Sequence, residues 1–150
     1  MNNNQSRQGD RDFLLIAEDN PADVVLIRLA LQKYGVLPEL YVIQDGEAAV
    51  RFIEKVEADD LAACPVLALV DLNLPRVGGD ELLLRVRASE KWRNVPVIVM
   101  SSSLSTRDRT DALQRGAAAF FSKPSDLEQF LMLGALVKAT IPTAKSKRAS

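Results

Sequence analysis

The chain has 150 residues, 47% of them hydrophobic, and its 19 basic and 20 acidic residues leave a net charge of −1. That is enough for one domain with a sizeable core, and the near balance of charge removes the global field that draws proteins to nucleic acid or to anionic membranes, so neither partner is expected. There is no histidine and a single cysteine, Cys64, which excludes Ser-His-Asp and Cys-His nucleophilic schemes, imidazole acid–base chemistry, the usual histidine-containing zinc sites and an internal disulfide.

No stretch resembles a signal peptide or a long apolar span, and a soluble, cytoplasmic protein is expected. Residues 1–12 are polar, with too little apolar content to pack, and read as a disordered tail. Phe13-Leu14-Leu15-Ile16-Ala17 reads as a buried strand that stops on Glu18-Asp19-Asn20-Pro21. Asn20 suits a helix N-cap and Pro21 the first helical position, where a missing N–H costs nothing. That helix should end at Tyr34, with Gly35 as its left-handed cap. Leu40–Ile43 is the second strand, and Asp45-Gly46 opens a helix with Val50, Ile53 and Val56 at helical spacing.

The run Val66-Leu67-Ala68-Leu69-Val70 has the apolar character of a strand buried on both faces, the middle of a parallel sheet. It halts on Asp71, and Pro75 with Gly78-Gly79 forces a loop beyond it. By itself this is an ordinary strand end, since an Asp often does no more than begin a turn. Asp80–Arg87 reads as a third helix, Trp92 as a loop cap over the core, and Val95–Met100 as a fourth strand ending on Ser101-Ser102-Ser103. Ser105 and Asp108 have capping-box-like spacing, and Gly116 ends a polar fourth helix for which Leu104, Ala112 and Leu113 are the expected anchors. Ala117–Phe121 is a small-residue fifth strand, closed by Ser122-Lys123-Pro124.

A fifth helix starts at Asp126. Its Leu127, Phe130, Leu131, Gly134, Val137 and Ile141 are expected to face the sheet, and Met132, Leu133 and Leu136 the other side. A helix apolar nearly all round is normally buried all round, so the second face is expected to meet another subunit, giving a homodimer through the fourth helix, fifth strand and fifth helix. Residues 142–150 read as a short, solvated basic tail.

Five strands alternating with five helices give an α/β domain over residues 13–141, a doubly wound parallel sheet, because parallel strands need right-handed helical crossovers. Strand order 2-1-3-4-5 puts the topological switch point between strands one and three, where open α/β sheets bind ligands. Glu18 and Asp19 end strand one and Asp71 ends strand three; Ser101 and Lys123 end strands four and five on the same edge. Each has a bland explanation alone, a helix-dipole acid or a surface amine, but their joint placement at four strand ends does not.

Carboxylates so close repel: a pair about 4 Å apart costs roughly 4 kcal/mol at an effective dielectric near 20. A hard divalent ion with oxygen ligands, Mg2+ above all, suits them. With Lys123 as a fixed positive charge and Ser101 as a hydroxyl donor, the parts are those that stabilise a phosphoryl group arriving on a carboxylate oxygen, with Asp71 as nucleophile.

The pattern resembles the receiver domains of two-component response regulators, a family of flavodoxin-like fold. The motifs are Glu18-Asp19, Asp71, Ser101 and Lys123-Pro124, with Asp71 separated from Ser101 by 101 − 71 = 30 positions and from Lys123 by 123 − 71 = 52. The resemblance implies Asp71 as phosphoacceptor, Glu18, Asp19, Asp71 and the backbone carbonyl of Asn73 as Mg2+ ligands, Lys123 and Ser101 as catalytic partners, and Ser101 with Phe120 as the switch pair, Phe120 turning inward as the hydroxyl moves to the phosphate. Serine instead of threonine at 101 keeps the donor but loses the methyl that restricts its rotamers. The extension Asp59–Cys64 and the wording Glu-Asp-Asn-Pro-Ala-Asp and Asp-Leu-Asn-Leu-Pro resemble stand-alone regulators paired with bacterial phytochromes and other hybrid sensor kinases. On this reading the chain is no enzyme beyond self-catalysed phosphoryl acceptance and loss. It takes the group from a sensor histidine kinase or phosphotransfer protein, and acts through a partner or as a phosphorelay intermediate because no output domain follows the fifth helix.

Three rivals share the fold or the nucleophile. A haloacid-dehalogenase-like phosphohydrolase wants an acid two residues after the nucleophile, where this chain has Asn73. An FMN carrier wants a Ser/Thr/Gly phosphate loop where this chain has Glu18-Asp19. A pseudo-receiver used only for docking has no use for a full set of site residues.

Overall fold

The computed structural model describes residues 12–36 and 38–142. The polar tail expected before the first strand, apart from Asp12, and the basic tail, apart from Pro142, lie outside the described residues. The elements run β1 Phe13–Ala17, α1 Pro21–Lys33, β2 Glu39–Ile43, α2 Gly46–Ala58, β3 Leu67–Asp71, α3 Gly79–Ala88, β4 Val97–Ser101, α4 Thr106–Gln114, β5 Ala119–Ser122, α5 Leu127–Leu131 and α6 Leu133–Thr140. The five strands form one parallel sheet in the order β2-β1-β3-β4-β5.

Period-two alternation splits the core into two layers. Leu15, Ala17, Ala68, Val70, Val97 and Val99 face α2, α3 and α4, where Ile53, Val56, Leu82, Leu83 and Trp92 meet them. Leu14, Ile16, Leu67, Leu69, Ile98 and Met100 face the opposite layer of Ile27, Leu31, Phe130, Leu133 and Val137. β3 and β4 are buried at every position, as central strands covered by helices on both faces must be.

Local chemistry sets the helix ends. Asn20 Oδ1 accepts from the N–H groups of Ala22 and Asp23 with Pro21 at the first position of α1, and Asp45, Ser105 and Asp126 cap α2, α4 and α5 in the same way. Gly35 and Gly116 end α1 and α4 with φ of +69° and +104°, a region open to glycine without steric cost. Where no cap is available, long cations serve: Lys91 Nζ donates to the carbonyls of Val56 and Asp59 at the end of α2.

Three expectations about side chains are corrected. Leu133 is fully buried in the core and not on an outer face, because it lies three residues after Phe130 and four before Val137 and so shares their stripe. Leu136 packs partly on the same layer, while Met132 is half-exposed and accepts a hydrogen bond on Sδ from the hydroxyl of Tyr34, the residue that closes α1, at 3.3 Å. Conversely, Leu127 is half-exposed in the first turn of α5. The helix changes pitch at Met132, whose N–H donates to the Gln129 carbonyl three residues back. Of the anchors expected for α4, Leu104 lies before the helix and is 88% exposed and Leu113 is 41% exposed, while Ala112 is the buried residue. Trp92 is more than a lid: it is completely buried, edge-on to Phe52.

Candidate functional site

Strands β1, β3, β4 and β5 end together on one edge, and their last residues and the turns beyond them make the site. β1 delivers Glu18, completely buried, and Asp19, exposed. β3 delivers Asp71, 6% exposed. One oxygen each from Glu18, Asp19 and Asp71 lies within 4.8 Å of the others. Lys123 follows β5, its N–H held by the Ser101 carbonyl at 2.7 Å, and its side chain lies across the cluster. Nζ donates to Glu18 Oε1 at 2.7 Å, to Asp71 Oδ2 at 2.7 Å and to Asp23 Oδ2 at 2.8 Å.

The second oxygens of Glu18 and Asp71 are also held. Glu18 Oε2 accepts from the Asn20 N–H at 3.1 Å and Asp71 Oδ1 from the Asn73 N–H at 2.9 Å. The second bond winds the chain into the turn after β3, which continues through Arg76, a non-glycine residue at φ +74°. Burial pushes the Glu18 carboxyl up from 4.5 to about 7, against the pull of Lys123. For Lys123, burial disfavours the charge, but its three carboxylate partners outweigh that and raise its pKa above the ordinary lysine value. A buried, acid-rich cluster with one fixed cation has a donor set of hard oxygens, which fits a divalent ion such as Mg2+.

Ser101 is completely buried at the end of β4, and its hydroxyl points along the following loop. Ser101 Oγ accepts from the Ser103 N–H at 3.0 Å, Ser103 Oγ from the Ser105 N–H at 3.1 Å, and Ser105 Oγ from the Asp108 N–H in the first turn of α4 at 3.3 Å. A ladder of three serines thus runs from the site to the helix least held by the core. Phe120, expected to turn inward, is inside already: it is 6% exposed, in the layer that contains Val99 and Ala112. A phenyl ring has no hydroxyl to satisfy at the surface, so burial is its resting preference.

Of the residues expected at the site, the structure brings Glu18, Asp19, Asp71, Asn73, Ser101 and Lys123 to one edge, and it adds Asp23, which sequence reasoning missed. The only sequence sign of Asp23 is its place in the first turn of a helix whose start Asn20 and Pro21 define, directly after Glu18 and Asp19. No helix among the described residues is long and apolar enough to cross a membrane.

Known proteins with this pattern are numerous. The chain is 32% identical over 119 residues to the probable methanogenesis regulatory protein FilR2 of Methanothrix harundinacea, covering 79% of this chain and 76% of that one. It is 27% identical over 120 residues to response regulator Rcp1 of Synechocystis, covering 80% and 82%; the crystal structure of the Mn(2+)-bound form of Rcp1 superposes with a TM-score of 0.76, over 88% of this chain and 96% of that one. The phosphorylated cyanobacterial phytochrome response regulator RcpA superposes with a TM-score of 0.77 at 26% identity, over 89% and 96%. The profile of the response regulator receiver domain matches residues 14–133, and with four strand ends converging on Asp71 the chain belongs to the response regulator receiver family of two-component signalling.

Proposed function

We propose that Asp71 is the phosphoacceptor of a single-domain response regulator, which receives a phosphoryl group from a sensor histidine kinase, of phytochrome type or another, or from a phosphotransfer protein. The observation that carries this is the part-buried Lys123 ammonium bonded to Asp71 Oδ2 at 2.7 Å beside Glu18 and Asp19. An Asp71 oxygen attacks phosphorus, the bond to the donor's imidazole nitrogen breaks, and the imidazole leaves with the electron pair. The chain has no histidine, so the donor must come from a partner. Glu18, Asp19, Asp71 and the Asn73 carbonyl would hold Mg2+, which would neutralise the phosphoryl oxygens; the Mn(2+)-bound form of Rcp1 supports a divalent ion here. Lys123 adds fixed positive charge at Asp71 Oδ2, and the Asn73 N–H holds Asp71 Oδ1.

The signal leaves through the serine ladder. A phosphoryl oxygen that draws the Ser101 hydroxyl toward itself competes with the Ser103 N–H, which loosens the loop that caps α4. One buried residue, Ala112, holds that helix, so little packing opposes its movement. The output is a changed protein-interaction face on α4, β5 and the last helix, in the cytoplasm. Leu104 just before α4, Leu113 on α4 and Leu127 on α5, all exposed, replace Met132 and Leu133 as support for a homodimer through that face.

Incubation of the chain with Mg2+ and a small phosphodonor, followed by intact mass, tests the reading. The account expects one phosphoryl adduct, labile to hydroxylamine as an acyl phosphate is. No adduct, or one that survives hydroxylamine, contradicts it.

A further inference from the structure

We infer that Asp23 is a positioning residue that holds Lys123 in reserve, and that it is the partner Lys123 releases when a phosphoryl oxygen arrives; the inference rests on the reading of Asp71 as phosphoacceptor. A lysine ammonium has three N–H donors and no more. All three are engaged by carboxylates, at 2.7, 2.7 and 2.8 Å, so none is free for an incoming anion. One bond must be given up.

The three acceptors are not equivalent. Glu18 is completely buried, so water cannot take over from Lys123 there and only a bound ion can. Asp71 carries the new group and remains beside Lys123 by attachment. Asp23 has a side chain 19% exposed, against 0% for Glu18 and 8% for Asp71. It also sits in the first turn of α1, where the helix dipole stabilises a carboxylate that has lost its partner. Water and the helix can take over what Lys123 leaves. Until then Asp23 competes for the donor and adds negative charge beside the place where a dianion must come to rest. Both effects weight the equilibrium toward the unphosphorylated state.

An acid in the first turn of a helix also has a purely structural use, so the test must separate the two. In the full chain at saturating Mg2+, beryllofluoride affinity is measured by calorimetry for the wild type, Asp23→Asn, Asp23→Glu and Asp71→Asn, with Mg2+ affinity measured separately. The inference expects Asp23→Asn to bind beryllofluoride roughly tenfold more tightly, as loss of one competing charge-assisted hydrogen bond implies, and to bind Mg2+ no better than the wild type. Asp23→Glu, which restores a carboxylate, returns toward wild-type affinity. A structural role would weaken both ligands together, and unchanged or weaker beryllofluoride binding by Asp23→Asn overturns the inference. If that variant does not fold, Asp23→Ser is read in its place. Undiminished binding by Asp71→Asn overturns instead the reading underneath.

Discussion

Gly79 packs its Cα against the backbone of Asp71 so closely that a Cβ there would overlap the Asp71 carbonyl oxygen and stand 2.8 Å from Leu72 Cα. The glycine at the start of α3 therefore sets how near that helix comes to the end of β3, and with it the path of the turn that carries Asn73. Gly79→Ala forces backbone apart from backbone, and overpacking of this kind destabilises by about 1–3 kcal/mol. Urea denaturation should show that loss together with weakened Mg2+ binding. Wild-type stability would mean that the turn yields freely.

Lys123 is the sole cation bonded to the buried cluster among the described residues. Lys123→Ala leaves Glu18 and Asp71 without it, and breaking a buried pair in this way is expected to destabilise the cation-free protein by about 3 kcal/mol. Added Mg2+ should then raise the Tm of the variant more than that of the wild type, because the ion substitutes for the missing charge. Equal shifts in the two proteins would show that Lys123 and the ion do not share the site.

The raised Glu18 pKa, from 4.5 to about 7, has two consequences of opposite sign. A carboxyl whose folded pKa lies above its unfolded value holds its proton more tightly when folded, so in cation-free protein its contribution to stability is present below 4.5 and is lost as pH rises through about 7. A divalent ion needs the carboxylate, so its binding displaces that proton and strengthens over the same window. Calorimetric Mg2+ titrations at about pH 6 and about pH 8 should differ several-fold in favour of the higher pH. Affinity independent of pH would remove Glu18 from the ligand set.

Away from the site, Arg87 of α3 donates to the Gly116 carbonyl through both Nε (2.9 Å) and Nη2 (2.8 Å), and through Nη1 to the carbonyls of Arg93 and Val95. It ties the end of α3 to the approach to β4 and to the turn that closes α4. Arg87→Lys keeps the charge but not the planar fork. A loss of about 2 kcal/mol in unfolding free energy, with Mg2+ affinity unchanged, is expected; a change in Mg2+ affinity would show that this clamp reaches the site.

Much of this was legible in the sequence because the signals were local or periodic. Strand runs halting on Glu18-Asp19, Asp71, Ser101 and Lys123 gave the edge, and Asn20-Pro21, Asp45, Ser105 and Asp126 gave the helix starts. What escaped depended on three-dimensional partners. Asp23 looks like any first-turn acid until Lys123 is folded over it. Leu104 and Leu113 look like anchors until the loop before α4 and the helix itself leave them in solvent, and Leu133 belongs to the core by its spacing from Phe130 and Val137. Arg87 gives no sequence sign that its partners are carbonyls 29, 8 and 6 residues away.

The central claim is that the phosphoryl group goes to Asp71. Wild type and Asp71→Asn, incubated side by side with Mg2+ and a small phosphodonor and read by intact mass, test it most directly. The account predicts one adduct on the wild type and none on Asp71→Asn; equal labelling of the two proteins would contradict it.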